Sequence, residues 1–141
     1  MNTKKWIIAS VVIFVVDQIL SYLFHGVFMS GVYEQTAHLW RPMEEINRLM
    51  WMGWLSGLIW SFIFVYIFAK GYENKGIMEG VRFGLLIGVF YSLPMSLGTY
   101  MSMPITGGIA TAWFLYGVIE ITILGILAAF LYKPATVTKT A

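Results

Sequence analysis

The chain alternates between four long apolar stretches and three more polar connections. The apolar stretches cover residues 6–28, 49–69, 79–101 and 108–132. Each holds the roughly 20 mainly apolar residues that a helix needs to cross the hydrocarbon of a bilayer. Because two of the three connections are short, consecutive helices are expected to lie antiparallel as neighbours. The pattern therefore predicts an all-α fold, a four-helix transmembrane bundle that forms one domain over residues 1–141.

Small side chains recur at every fourth position of the third stretch, which places them on one helical face. They are Gly80, Gly84, Gly88, Ser92 and Ser96, and the second stretch has a shorter version in Gly53 and Gly57. Faces of this kind let two membrane helices approach backbone to backbone. We expect them to be helix-packing faces, in a close crossing of the second and third helices or in a homodimer.

The composition agrees with a lipid-solvated protein. Of the 141 residues, 59% are hydrophobic and 11% are charged, whereas soluble domains carry roughly 25% charged residues. The formal net charge of +2 comes from few residues near the predicted helix ends, so it indicates topology and not nucleic-acid binding. No cysteine is present, which excludes disulfides and cysteine ligands for metals or clusters.

The basic residues predict the orientation, because cytoplasmic segments of membrane proteins are enriched in lysine and arginine. Seven lie at the chain ends or in the second connection, and two lie in the first connection. The seven are Lys4, Lys5, Lys70, Lys75, Arg82, Lys133 and Lys139, and the two are Arg41 and Arg48. This distribution predicts that the N- and C-termini are both cytoplasmic, with the protein in the plasma membrane.

Two acidic residues are expected near the middle of the bilayer. Asp17 follows Trp6 by about 16 Å of helix, and Glu120 precedes Tyr132 by about 18 Å, in a hydrocarbon layer about 30 Å thick. Tyr91 falls at a similar level on the third helix. Charges at this depth are costly and face the bundle interior. Since no lysine or arginine lies at that depth, we expect at least one of the two carboxyl groups to be protonated at neutral pH.

Further polar residues extend this candidate intramembrane site. Asp17, Ser21 and His25 are spaced four residues apart on the first helix, and Tyr116 precedes Glu120 by one turn on the fourth. One interpretation is that they form hydrogen bonds that fix how the helices pair. The other is a row that passes protons or holds a small cation. His25 alone is typical of a residue at the membrane boundary.

Glu79 and Arg82 lie one turn apart at the cytoplasmic end of the third helix. The simpler interpretation is an anchor for topology, with the arginine reaching the headgroups or pairing with Glu79 or Glu73. The alternative is a charge at a cytoplasmic gate, or a contact with anionic lipids.

Two segments carry a resemblance to a known group of proteins. They are SYLFHGVFMSGVYE with LWRP (residues 21–34 and 39–42) and GYENKGIMEGVRFGLLIGV (residues 71–89). They resemble segments of small four-helix bacterial inner-membrane proteins known only as domains of unknown function, over residues 21–132. The resemblance implies four spans in a bacterial inner membrane, and it implies no site.

For function, the sequence leaves two hypotheses. The first is a non-enzymatic accessory or interaction subunit whose glycine-rich faces dock against a second copy or a membrane-protein partner. The second is a proton or small-cation pathway that uses the midplane carboxyl groups. With two histidines and no cysteine, we identify no catalytic residue, metal ligand set or cofactor motif.

Overall fold

The computed structural model describes residues 2–132. Helix α1 spans Thr3–Ser21 and continues as a π-helix over Tyr22–Phe28; the short helix α2 spans Ser30–Gln35 and is followed by a 3-10 turn at Ala37–Leu39. Helices α3, α4 and α5 span Met43–Lys70, Ile77–Ser102 and Gly107–Leu131. Lys133 and Lys139, which the orientation argument uses, lie outside the described residues.

The four long helices are each long and apolar enough to cross a membrane. They comprise 26, 28, 26 and 25 residues, the first including the π-helical part. The prediction of an all-α fold with four such helices is confirmed. Helix α3 begins at Met43, six residues before the predicted boundary, because Pro42 precedes it and Glu44 and Glu45 occupy its first turn. Acidic residues there interact favourably with the helix dipole.

Both ends of the described chain lie at the same end of the bundle. The backbone nitrogen of Asn2 donates a hydrogen bond to the hydroxyl of Tyr132 over 3.1 Å. We call this the terminal end, and it also holds the connection at residues 71–76. The opposite end, which we call the loop end, holds residues 29–42 and 103–106.

The small-residue face of α4 packs against α5. A Cβ at Gly80 would lie 2.3 Å from the carbonyl oxygen of Gly125, and a Cβ at Gly84 would lie 2.6 Å from Cα of Thr122. Farther along, a Cβ at Gly88 would lie 3.0 Å from Cα of Val118. The predicted close crossing of the second and third spans is therefore wrong. The partner of this face is α5, whose own Gly125 lets the backbones meet.

The terminal half of the bundle is filled by a hydrophobic core of buried residues from α1, α3 and α5, against which Phe83 and Ile87 of α4 pack. It is formed by Ala9, Ile13, Phe64, Val65, Phe68, Ile121, Leu124, Ala128, Ala129 and Tyr132. A smaller core of Met29, Ile105, Ile109 and Ala110 lies at the loop end. Large apolar side chains such as Leu86 and Phe90 face outward, as expected for helices that lipid surrounds.

Candidate functional site

A cavity of about 940 Å³ lies between α1, α3, α4 and α5. Asp17 of α1 and Glu120 of α5 both line it. Arg41 and Met43, at the start of α3, line it at the loop end. We call this space the acidic cavity.

The acidic cavity does not continue into the terminal half of the bundle. Ile121, which lines it, also belongs to the larger hydrophobic core. Beyond Ile121 that core contains Ile13, Val65 and Leu124, all of them fully buried. The cavity thus extends toward the loop end, as far as Arg41 and Met43, and is closed by packed side chains toward the terminal end.

Glu120 is held by hydroxyl groups from two helices. The hydroxyl of Ser21 on α1 donates to its Oε1 over 3.2 Å, and the hydroxyl of Tyr116 donates to the same oxygen. Phe24 stacks on the Tyr116 ring, with 3.8 Å between the ring centroids. Only 9% of Glu120 is exposed. These contacts hold the carboxyl group against α1, one helical turn beyond Asp17.

Asp17 lies where α1 meets α3. Its Oδ2 accepts a hydrogen bond of 3.0 Å from Nε2 of Gln18. Across the interface, a Cβ at Gly57 would lie 3.6 Å from that same Oδ2 and 2.9 Å from Nε2 of Gln18. Gly57 therefore makes room for these two polar side chains. The sequence prediction gave Gly57 a packing role but did not identify Gln18.

Neither carboxyl group forms an ion pair with another described residue. Within residues 2–132 the ion pairs are those of Arg41 with Glu45 and of Lys75 with Glu73. Arg41 is the one lysine or arginine among the lining residues, and its Nη1 lies 2.7 Å from Oε1 of Glu45. The inner part of the acidic cavity therefore carries two acidic groups and no strongly basic one.

His25 connects α1 to the segment that covers the loop end. Its Nδ1 lies 2.6 Å from the hydroxyl oxygen of Tyr33, which also accepts a hydrogen bond of 2.8 Å from Nε1 of Trp113. All three residues line the cavity. Tyr33 and Trp113 were missed by the sequence prediction, since the pattern does not show that α2 folds back over α5.

The π-helical end of α1 was also not predicted. The backbone nitrogen of Met29 donates to the carbonyl oxygen of Phe24, five residues earlier, over 2.8 Å. Such segments occur mostly as single turns within α-helices, often at functional sites. Here the segment contains His25, and Asp17, Ser21 and His25 all line the acidic cavity.

Helix α4 contributes Tyr91 and Ser92 to the acidic cavity. Tyr91 is 48% exposed, and its ring centroid lies 6.3 Å from that of Trp60. Ser92 is 2% exposed, and its Oγ has no hydrogen-bond partner among the described residues. Ser96, one turn farther along, is equally buried and equally without a partner, but it does not line the cavity.

The remaining predicted residues lie away from Asp17 and Glu120. Gly53 lines the outer part of the cavity and has no atom within 4 Å of the position a Cβ would take. Glu79 accepts hydrogen bonds from the backbone nitrogens of Glu73 and Lys75, over 2.6 and 2.9 Å. It therefore closes the connection at the terminal end, where Arg82 is exposed one turn away.

Comparison of the chain with protein-family models, curated proteins and solved structures finds no match. The resemblance to small four-helix bacterial membrane proteins therefore stays a prediction. Within residues 2–132 no group of three or more His, Cys, Asp or Glu side chains could hold a metal ion. The acidic cavity is the feature from which a function is argued.

Proposed function

We propose that this chain is a multi-pass membrane protein that binds a cation at the Asp17 and Glu120 carboxyl groups. Both ends of the chain face the cytoplasm in this proposal, as the excess of lysine and arginine at the terminal end indicates. The acidic cavity then lies in the half of the bundle nearer the opposite side of the membrane. In a bacterium this would be the inner membrane.

The observation that carries the proposal is two acidic side chains on the wall of one cavity, without a basic partner. Ionisable groups within membrane helices are costly, and those that occur generally serve a site or a pathway. Ser21 and Tyr116 supply only neutral hydroxyl groups to Glu120. A bound cation would supply the missing charge, and protons would take its place in the empty site.

The accessory-subunit hypothesis has less support. Its main argument was the small-residue face of α4, and Gly80, Gly84 and Gly88 contact α5 of the same chain. Among the predicted packing residues, Gly53 alone has open space beside it. Docking of a second copy or a partner through this part of α3 stays a prediction.

The experiment measures how the infrared bands of the carboxyl groups respond to cations. The full-length protein is placed in lipid nanodiscs, and infrared difference spectra are recorded on addition of Na⁺, K⁺ or tetramethylammonium. We expect at least one of these cations to change the carboxyl bands, because binding replaces protons or perturbs the carboxylates. The bands are assigned by their loss in Asp17→Asn and Glu120→Gln.

The matched control is Glu44→Gln, which removes an exposed carboxylate at the loop end that does not line the cavity. Its spectra are expected to respond to cations as those of the unaltered protein do. Bands of Asp17 and Glu120 that no cation changes, organic cations included, would contradict the proposal.

A further inference from the structure

We infer that the acidic cavity binds an organic ammonium ion with an aromatic or aliphatic body, with the ammonium group at Asp17 and Glu120. This inference rests on the proposed function and specifies the class of cation. Two features of the cavity carry it: its volume and its mainly apolar wall.

The volume of the acidic cavity is far larger than a bare ion needs. A water molecule occupies about 30 Å³ in the liquid, and the cavity measures about 940 Å³. Pockets for organic ligands commonly have volumes of about 300–1,000 Å³. They are mainly apolar and carry a few polar groups that orient the ligand. The acidic cavity has the size and the composition of such a pocket.

The wall of the acidic cavity is rich in aromatic and methionine side chains. The aromatic ones include Trp54, Trp60 and Tyr91, and the methionines include Met50 and Met95. Aromatic faces attract cations, most strongly where water is excluded. Methionine is flexible and polarisable, so it adapts to ligands of different shapes. A metal ion would gain little from this wall, whereas an organic cation would contact it along its whole body.

The test uses 4-phenylbutylammonium and its neutral counterpart 4-phenylbutan-1-ol, in which a hydroxyl group replaces the ammonium. Binding to the full-length protein in nanodiscs is measured by calorimetry and by quenching of tryptophan fluorescence. We expect saturable binding of the ammonium compound, and at least about 10-fold weaker binding of the alcohol, since hydrogen bonds to charged groups are the stronger ones. Asp17→Asn with Glu120→Gln is expected to abolish the saturable part.

The outcomes separate this inference from the proposed function. The inferred ligand class is wrong if the alcohol binds as tightly as the ammonium compound. It is also wrong if the double variant binds the ammonium compound as tightly as the unaltered protein does. If Na⁺ or K⁺ changes the Asp17 and Glu120 bands while 4-phenylbutylammonium does not bind, the ligand class is wrong and the proposed function stands. If no cation of either kind acts on the two carboxyl groups, the proposed function is wrong as well.

Discussion

The interface between α4 and α5 and the acidic cavity differ in which atoms form their contacts. At the α4–α5 interface, backbone lies against backbone, and Gly80, Gly84 and Gly125 leave no room for a Cβ. In the acidic cavity, Asp17, Gln18 and their neighbours meet through the ends of side chains. Side-chain ends can change rotamer, but a helix backbone cannot yield locally. The α4–α5 interface therefore leaves less room for an added methyl group than the acidic cavity does.

The largest expected effect is that of a methyl group at the α4–α5 interface. In Gly84→Ala the new Cβ would lie 2.6 Å from Cα of Thr122 and 2.7 Å from the carbonyl oxygen of Ile121, so the two helices must separate. We expect the free energy of unfolding to fall by about 3 kcal/mol. The measurement is unfolding in dodecyl sulfate, followed by the circular dichroism of the helices.

Gly98→Ala is the matched control, because Gly98 belongs to the same helix and has nothing within 4 Å of the added Cβ. Alanine is the better helix former, so this variant should gain about 0.5–1 kcal/mol. Equal stability of the two variants would show that the α4–α5 contact is not as close as described.

The second effect concerns the cover of the acidic cavity. Tyr33→Phe removes the acceptor of the Trp113 indole and the partner of His25, so we expect a loss of about 2 kcal/mol. Near-ultraviolet circular dichroism should also change, since the aromatic contacts at the loop end loosen. An unchanged unfolding midpoint would mean that the contacts of Tyr33 with His25 and Trp113 do not stabilise the loop end.

The phenol group of Tyr33 should also make the stability of the protein depend on pH. Burial raises the pKa of Tyr33 above its ordinary value of 10.0, and the hydrogen bond from Trp113 offsets part of this. As the pH rises past that value, the unfolded chain loses this proton before the folded protein does. Stability should therefore fall above about pH 10. In Tyr33→Phe this part of the fall is expected to be absent, which the difference between the two unfolding curves measures.

A smaller effect of opposite sign is expected at Ser96. Its buried Oγ has no hydrogen-bond partner among the described residues, so Ser96→Ala should raise the free energy of unfolding by about 1 kcal/mol. Ser61→Ala is the control, because the equally buried Ser61 donates to the carbonyl oxygen of Gly57 over 2.8 Å. A gain at Ser61 as large as that at Ser96 would contradict the assignment of an unpaired group.

The smallest difference is expected on the cavity side of α3. In Gly57→Ala the nearest atom to the new Cβ is Nε2 of Gln18 at 2.9 Å, the end of a flexible side chain that can move. In Gly53→Ala there is open space. The two variants should therefore differ in stability by less than about 0.5 kcal/mol. A difference as large as that between Gly84→Ala and Gly98→Ala would show that the cavity wall is as rigid as the α4–α5 interface.

Part of the site was predictable from spacing alone. Asp17 and Glu120 each interrupt an apolar run at about half its length, and Tyr116 precedes Glu120 by one helical turn. Lengths along a helix follow from its fixed rise, so the position of a residue along its own helix can be read without a structure. Tyr33, Trp113 and Gln18 could not be found this way, because hydrophobic periodicity does not indicate which side chains from different helices come into contact.

The sequence by itself determined the four apolar helices, their order and the positions of the acidic residues along them, because these depend on residue type and on distance along one helix. Tertiary structure decided that the small-residue face of α4 packs on α5, and that α1, α3, α4 and α5 enclose a cavity. The small-residue faces of α3 and α4 are equally consistent with several ways of pairing the helices. The choice depends on matching surfaces from segments far apart in the chain, such as Gly84 with Thr122 and Ser21 with Glu120.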